Sequence, residues 1–195
     1  MTQKKSKQER VNEITQAAME VFIKKGYENT TMENIAKKAG VSKGGLYHHF
    51  SSKDMILLTV NQKISENIQE IMIKAGKCDS VKKGLIYFIE NYLRYWMEHP
   101  QETSFLFISI VKIMDNTELL EYYQDFTTDY IKFFEDAFAI GVESGEFIPH
   151  DVKISAITLV AAMDGVLSYM ILDETLKVDD VIEQFKEKFI TSIEA

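Results

Sequence analysis

The sequence predicts an all-α protein in which a head of three short helices precedes a body of six longer ones. Three observations carry that reading. Only two prolines, Pro100 and Pro149, stand in 195 residues, so long helices are unhindered. Apolar residues recur at three- and four-residue spacing almost throughout. No run alternates Val, Ile and Thr in the manner of a strand.

The helices follow in order. Val11, Ile14, Ala18, Val21 and Phe22 share one face of a first helix that Gly26 ends. Thr30 stands three residues before Glu33, a capping-box spacing that opens a second helix from Thr31 to Ala39. Gly40 closes it, and Ser42 caps a third helix reaching about Phe50. Ser51, Ser52 and Asp54 start a fourth that runs to about Ala75. The next covers Ser80 to His99, stopped by Pro100, with Leu85, Phe88, Ile89, Tyr92 and Trp96 inward and Glu90 and Arg94 spaced to pair in solvent. Further helices are expected from about Glu102 to Asp115 and from Thr117 to about Ser144. Asp151 caps one reaching Leu172, and Asp179 or Asp180 opens the last, to about Ile193.

The stretch Ile154–Leu172 is long enough for a membrane span, but its one charge, Asp164, costs about 2.5–3.5 kcal/mol at the centre of a bilayer. A buried core helix is the expectation, with no membrane partner. The N-terminal Met1–Lys7 leads into no apolar stretch and is not expected to be a secretory signal. One cysteine, Cys78, forms no intrachain disulfide, which suits the cytoplasm.

Charge divides the chain. Residues 1–55 hold ten Lys or Arg against six Asp or Glu, whereas residues 56–195 hold twelve against twenty-four. A basic head suits a polyanion and an acidic body does not. The expected boundary separates a DNA-binding domain, 1–55, from a ligand-binding and dimerisation domain, 56–195. The four histidines, His48, His49, His99 and His150, lie in no HExxH, and no CxxC, GxSxG or glycine-rich phosphate loop is present. An enzyme, a bound metal and a cofactor are therefore not expected.

The window Met32–His49 carries the functional signal. A helix-turn-helix needs a small residue where its helices cross, a turn residue tolerating positive φ, and apolar locks beneath the second helix. Ala36 is the small residue, Gly40 the turn, and Ile35, Ala39, Val41 and Leu46 the locks. From Thr30 to Phe50, and on through Ser52-Lys53-Asp54, the chain closely resembles the DNA-binding domain of TetR-family regulators. The likeness covers about residues 10–58, and its Tyr47-His48-His49-Phe50 ending with a following Lys is far rarer than a generic helix-turn-helix.

The resemblance implies a DNA-facing surface on the third helix made by Lys43, Gly44 and His48, with Tyr47 as a phosphate contact. Ser42, at that helix's start, suits a phosphate or base edge. Thr31 and Lys53 would clamp the DNA backbone on either side, and Lys43, with His48, would read bases. His49 is expected to pack beneath the helix beside Phe50, and Lys37 and Lys38 to form a solvated face.

In the body, Tyr122, Phe126, Tyr130, Phe134 and Phe138 follow one another at four-residue steps, a row that drifts about 40° per step. Such a stripe is usually core. The resemblance implies an effector pocket among these helices, assigned to Tyr92, Trp96, Phe126, Tyr130 and Met163. It also implies a homodimer through the last two helices, assigned to Leu167, Ile171, Phe185 and Phe189. Ile154–Leu172 is apolar almost all round and must then be buried on several faces, with Asp164 paired or reaching a polar ligand group. The function that follows is a repressor released from a palindromic operator by a lipophilic or cationic small molecule. The alternative is a DNA-binding structural or regulatory protein that answers to no effector.

Overall fold

The computed structural model describes residues 6–195, apart from the side chains of Glu118, Tyr122, Asp125 and Phe126. Among the described residues the regular elements are helices, joined by one isolated bridge between Phe147 and Glu194. They are α1 (Lys7–Lys25), α2 (Met32–Ala39), α3 (Lys43–His49), α4 (Lys53–Ala75), α5 (Val81–Glu98), α6 (Pro100–Met114), α7 (Thr117–Glu143), α8 (Val152–Leu172) and α9 (Val178–Phe189). A short 3-10 turn follows at Thr191–Ile193.

Local chemistry sets most of the boundaries. Ser6 Oγ accepts from the Glu9 amide at 3.1 Å while the Glu9 carboxylate accepts from the Ser6 amide at 2.6 Å, a reciprocal cap that opens α1. Ser80 caps α5 and Asp151 caps α8 in the one-sided form. Pro100 was expected only as a stop, with the next helix starting near Glu102. It is instead the first residue of α6, where its fixed φ suits the helix and its missing N–H would have had no partner.

The chain folds as two compact units. The first comprises the described residues up to Glu66 together with Gln101–Leu120; the second comprises Asn67–Pro100 and Glu121–Ala195. In the first, Ile14, Ala18, Phe22, Ile35, Leu46, Ile56, Leu57 and Phe105 are fully buried. The Phe22 ring stacks on Tyr27 at 5.5 Å and lies 6.0 Å from Phe105.

The core of the second unit is aromatic, with Phe88, Phe134, Phe138 and Phe147 fully buried. Gly141 lies so close under Phe147 that a Cβ there would come within 2.2 Å of the ring. Glu146 closes the N-terminus of α5, accepting from the amides of Val81 and Lys82 at 3.1 and 2.9 Å; these bonds hold its carboxyl below the usual range. Glu90 and Arg94, spaced to pair with each other, do not. Glu90 meets Lys186 at 2.5 Å and Arg94 meets Asp179 at 2.6 Å, because α9 packs along α5 and presents opposite charges to both.

Helix α8 departs from expectation in another way. It buries one face, Ala156, Leu159, Val160, Met163, Leu167 and Met170, and leaves Ile154, Ile157, Tyr169, Ile171 and Leu172 exposed. Burial on several faces is therefore not met within the single chain. Leu167 and Phe185, assigned to a dimer face, lie in this chain's own core, whereas Ile171 is open and Phe189 is half-buried against Phe185.

Candidate nucleic-acid interface and aromatic cluster

The recognition segment is built by caps on both sides of a tight turn. Thr31, not Thr30, opens α2: its Oγ1 accepts from the Asn34 amide at 3.2 Å, and Asn34 Oδ1 accepts from the Thr31 amide at 3.4 Å. Thr30 is instead buried, its hydroxyl donating to Gly26 O at 2.7 Å. A Thr-x-x-Asn spacing was present in the sequence, but the more familiar Thr-x-x-Glu one residue earlier masked it. At the other end Gly40 takes φ 65° and ψ 33°, the left-handed conformation that glycine adopts without strain, and Val41 N–H reaches back to Ala36 O at 3.0 Å.

The turn hands the chain to Ser42, whose Oγ accepts from the Gly45 amide at 3.0 Å and starts α3. Seven residues make too short a helix to stand alone. Leu46, wholly buried, ties α3 down, a contribution of about 2 kcal/mol from burial. Phe50 is buried at its end. This anchoring turns the opposite face outward: Lys43, Gly44, Tyr47 and His48 are all exposed, as is Ser42. Nothing lies within 4 Å of where a Gly44 Cβ would be, so the backbone there is bare to an approaching surface.

Two of the expected contacts look different in place. Thr31 is exposed, but its hydroxyl oxygen accepts from its own helix. Lys53 turns inward, its ammonium donating to Tyr27 O at 2.7 Å and Thr30 O at 2.9 Å and lying 4.0 Å above the Tyr27 ring. Burial lowers its pKa. In this position Lys53 satisfies the carbonyls of the α1–α2 turn. The Tyr27 hydroxyl donates to Asp54, and Lys112 of α6 stands 5.1 Å from the same ring. Sequence spacing offered no signal for that network, since its members come from three separate elements.

His49 is half-buried, as expected. Desolvation, then the charges of His48, Lys7 and Arg10, hold its pKa below the usual value. Lys38 pairs with Glu20 at 2.6 Å, and Lys37 is exposed.

In the second unit the structure gathers three of the aromatic residues assigned to a pocket. Tyr92 lies 6.0 Å from Trp96 and 6.5 Å from Tyr130, and Phe88 packs against Tyr92 and Tyr130. All three pocket aromatics are buried, as is Met163 on α8. The side chain of Phe126 lies outside the described residues. The Tyr92 hydroxyl donates to Asp164 Oδ1 at 2.7 Å, so the pairing expected of that carboxylate is with a phenol. Burial, and then the charge of Asp164, push the Tyr123 and Tyr130 hydroxyls above their ordinary range.

Comparison with known proteins follows the same division. Residues 14–60 match the model for bacterial regulatory proteins of the tetR family. The HTH-type transcriptional regulator YerO of Bacillus subtilis is 25% identical over 88% of this chain, which spans only 59% of YerO's length. QacR, an HTH-type transcriptional regulator of Staphylococcus aureus, is 26% identical over 81% of this chain and 84% of its own. The crystal structure of FadR from Bacillus subtilis, in complex with stearoyl-CoA, superposes with a TM-score of 0.78 at 21% identity, covering 94% of this chain and 99% of that one. The helix-turn-helix lies inside the segment that matches the tetR family of regulatory proteins, and the helical body that follows shares the fold of the solved regulator structure.

Proposed function

We propose that this regulator is a repressor that grips a palindromic operator as a homodimer and lets go when a small molecule enters the body. The observation that carries the DNA half is the face of α3: Ser42, Lys43, Gly44, Tyr47 and His48 stand exposed together on a helix pinned by Leu46. In this reading Lys43 and His48 read base edges in the major groove and Tyr47 contacts phosphate. Lys53 acts by holding the turn that carries Thr31. Two copies are needed because one chain presents one recognition helix, and half-sites for such pairs recur about one helical turn apart or at related spacings.

The exposed apolar face of α8, with Ile171 and the half-buried Phe189 of α9, supports self-association. The FadR structure with stearoyl-CoA and the buried cluster of Tyr92, Trp96, Tyr130 and Met163 support an effector site in the second unit. Work on DNA sets the site of action in the cytoplasm.

Selection of operator sequences from random DNA, followed by footprinting, tests the reading. The expected result is one protected palindrome, with Tyr47→Ala weakening binding to all sequences and Lys43→Ala costing roughly 1–3 kcal/mol at one base position. Unchanged affinity in both variants would overturn it. A protected operator from which no compound releases the protein would favour a DNA binder without an effector.

A further inference from the structure

We infer that Lys25, the last residue of α1, is a DNA-backbone contact of this protein, its ammonium held in place for a phosphate by Asn34 of α2. This rests on the DNA-binding reading above and adds to it a cation beside Thr31, which the inward-turned Lys53 does not supply.

The cations of the head are not alike. Arg10 pairs with Glu13 at 2.9 Å and Lys38 with Glu20 at 2.6 Å, so each already has a carboxylate. Lys53 donates to two carbonyls of the α1–α2 turn. Lys7, Lys24, Lys37 and Lys43 stand exposed. Lys25 is exposed as well, yet its Nζ donates to Asn34 Oδ1 at 3.1 Å, a bond from one helix to the next. The partner is a neutral amide, which fixes the ammonium without cancelling its charge. Glu33, exposed in the same turn of α2, forms no ion pair with it among the described residues.

Asn34 Oδ1 is a shared acceptor, for it also takes the Thr31 amide at 3.4 Å. The Lys25 ammonium and the first residue of the α2 cap therefore meet on one oxygen. Thr31 is exposed there; its Oγ1 accepts from the Asn34 amide at 3.2 Å, and its hydroxyl hydrogen has no acceptor among the described residues. The Lys25 backbone is tied too, its carbonyl accepting from Asn29 Nδ2 at 3.2 Å. A charged donor and a hydroxyl donor thus stand together where the first helix of the helix-turn-helix begins. In that motif the first helix crosses the DNA backbone while the second enters the major groove, and Lys and Thr side chains both donate to phosphate oxygens. A free surface lysine loses the freedom of a long side chain when it binds an anion. The bond to Asn34 removes part of that loss beforehand, which sets Lys25 apart from Lys24.

Lys24 is the control: it is the next residue in the chain, carries the same charge and is exposed. The full-length protein is titrated with operator duplex and with random-sequence duplex over a series of salt concentrations. Lys25→Gln should weaken both about threefold to tenfold and lower the salt slope by about one unit per protomer bound. Lys24→Gln should change affinity by less than about twofold and leave the slope in place. Lys25→Arg keeps the charge and should keep most of the slope. Melting curves are read beside these values, because a lysine that only braced the fold would lower Tm and spare the slope. Equal effects at Lys24 and Lys25, or a Lys25→Gln variant that binds as the parent does, overturns the inference. Amine acetylation of the unmodified protein, followed by mass spectrometry, decides without a variant: DNA should slow the reaction of Lys25 more than that of Lys24, and an unprotected Lys25 overturns the contact.

The two duplexes separate this inference from the repressor reading. A parent protein that binds both alike and selects no sequence refutes the repressor, while the two lysines are still compared on random DNA. A protected operator with no difference between Lys24 and Lys25 refutes the contact and leaves the repressor standing. A parent that binds neither duplex refutes both.

Discussion

Each unit of the molecule contains a tyrosine hydroxyl donating to an aspartate, and the two pairs sit in opposite surroundings. In the first unit, Tyr27 and Asp54 are flanked by cations: Lys53 and Lys112 stand over the Tyr27 ring, Lys112 also reaches Glu28 at 3.4 Å, and Lys53 donates to two turn carbonyls. Both ammonium groups have carboxylate or carbonyl partners there, and the network ties the α1–α2 turn to α4 and α6. In the second unit, Tyr92 and Asp164 share their hydrogen bond among aromatic rings with no ion pair among the described residues. The same chemical pair is a finished strut in one place and an unneutralised charge in the other. Residue type alone does not decide which; the neighbouring charges do.

The sharpest way to break this comparison is at Lys53. Lys53→Met should cost about 2–3 kcal/mol in denaturant unfolding, since two turn carbonyls lose their donor. The salt dependence of operator binding, measured where the variant remains folded, should keep its slope. A slope reduced by about one unit would mean that Lys53 neutralises a phosphate and is no strut.

A smaller effect comes from removing each hydroxyl. Tyr27→Phe should cost about 1–2 kcal/mol, because Asp54 and the turn lose a shared partner. Tyr92→Phe should cost about half as much, since Asp164 retains contact with solvent. Equal losses in calorimetry would remove the distinction between the pairs.

The smallest effects are in pH dependence, and their signs differ. Asp164 has a raised pKa when folded, so the native state holds its proton longer than the unfolded chain and stability falls as pH rises from 3.8 through the raised value. Asp164→Asn should flatten that decline and leave Tm at neutral pH unchanged or higher. Glu146 behaves oppositely: its lowered pKa gives stability that is present above 4.5 and lost as pH falls through the folded value. Glu146→Gln should reduce the acid sensitivity of the second unit and lower Tm at neutral pH. The prediction fails if both variants shift the melting profile in the same direction.

The head was legible in the sequence because its determinants are local. Ala36, Gly40, Ser42 and Leu46 act on neighbours within one turn of helix, and each takes its expected place. Legibility ended where a partner came from afar. Glu90 and Arg94 matched each other in spacing, yet α9 supplied Lys186 and Asp179. Lys53 read as a basic group at a helix start, and only the fold brought Tyr27 and Thr30 within its reach. The α8 wheel showed apolar residues on all sides, but which of them face inward depends on where α5 and α9 lie, so Leu167 went to the core and Leu172 to the surface.

Gly141 carries a consequence for genetics. Any side chain at that position collides with the Phe147 ring, which is itself fully buried, so neither residue is able to yield. A screen for loss of repression should therefore recover substitutions at Gly141 as readily as at Tyr47. Their phenotypes would coincide while their origins differ, one a chain that no longer accumulates and the other a stable protein blind to DNA. Measuring protein abundance beside reporter output sorts the two kinds of allele, and without it a map of functional positions would include a glycine that no ligand or nucleic acid need ever touch.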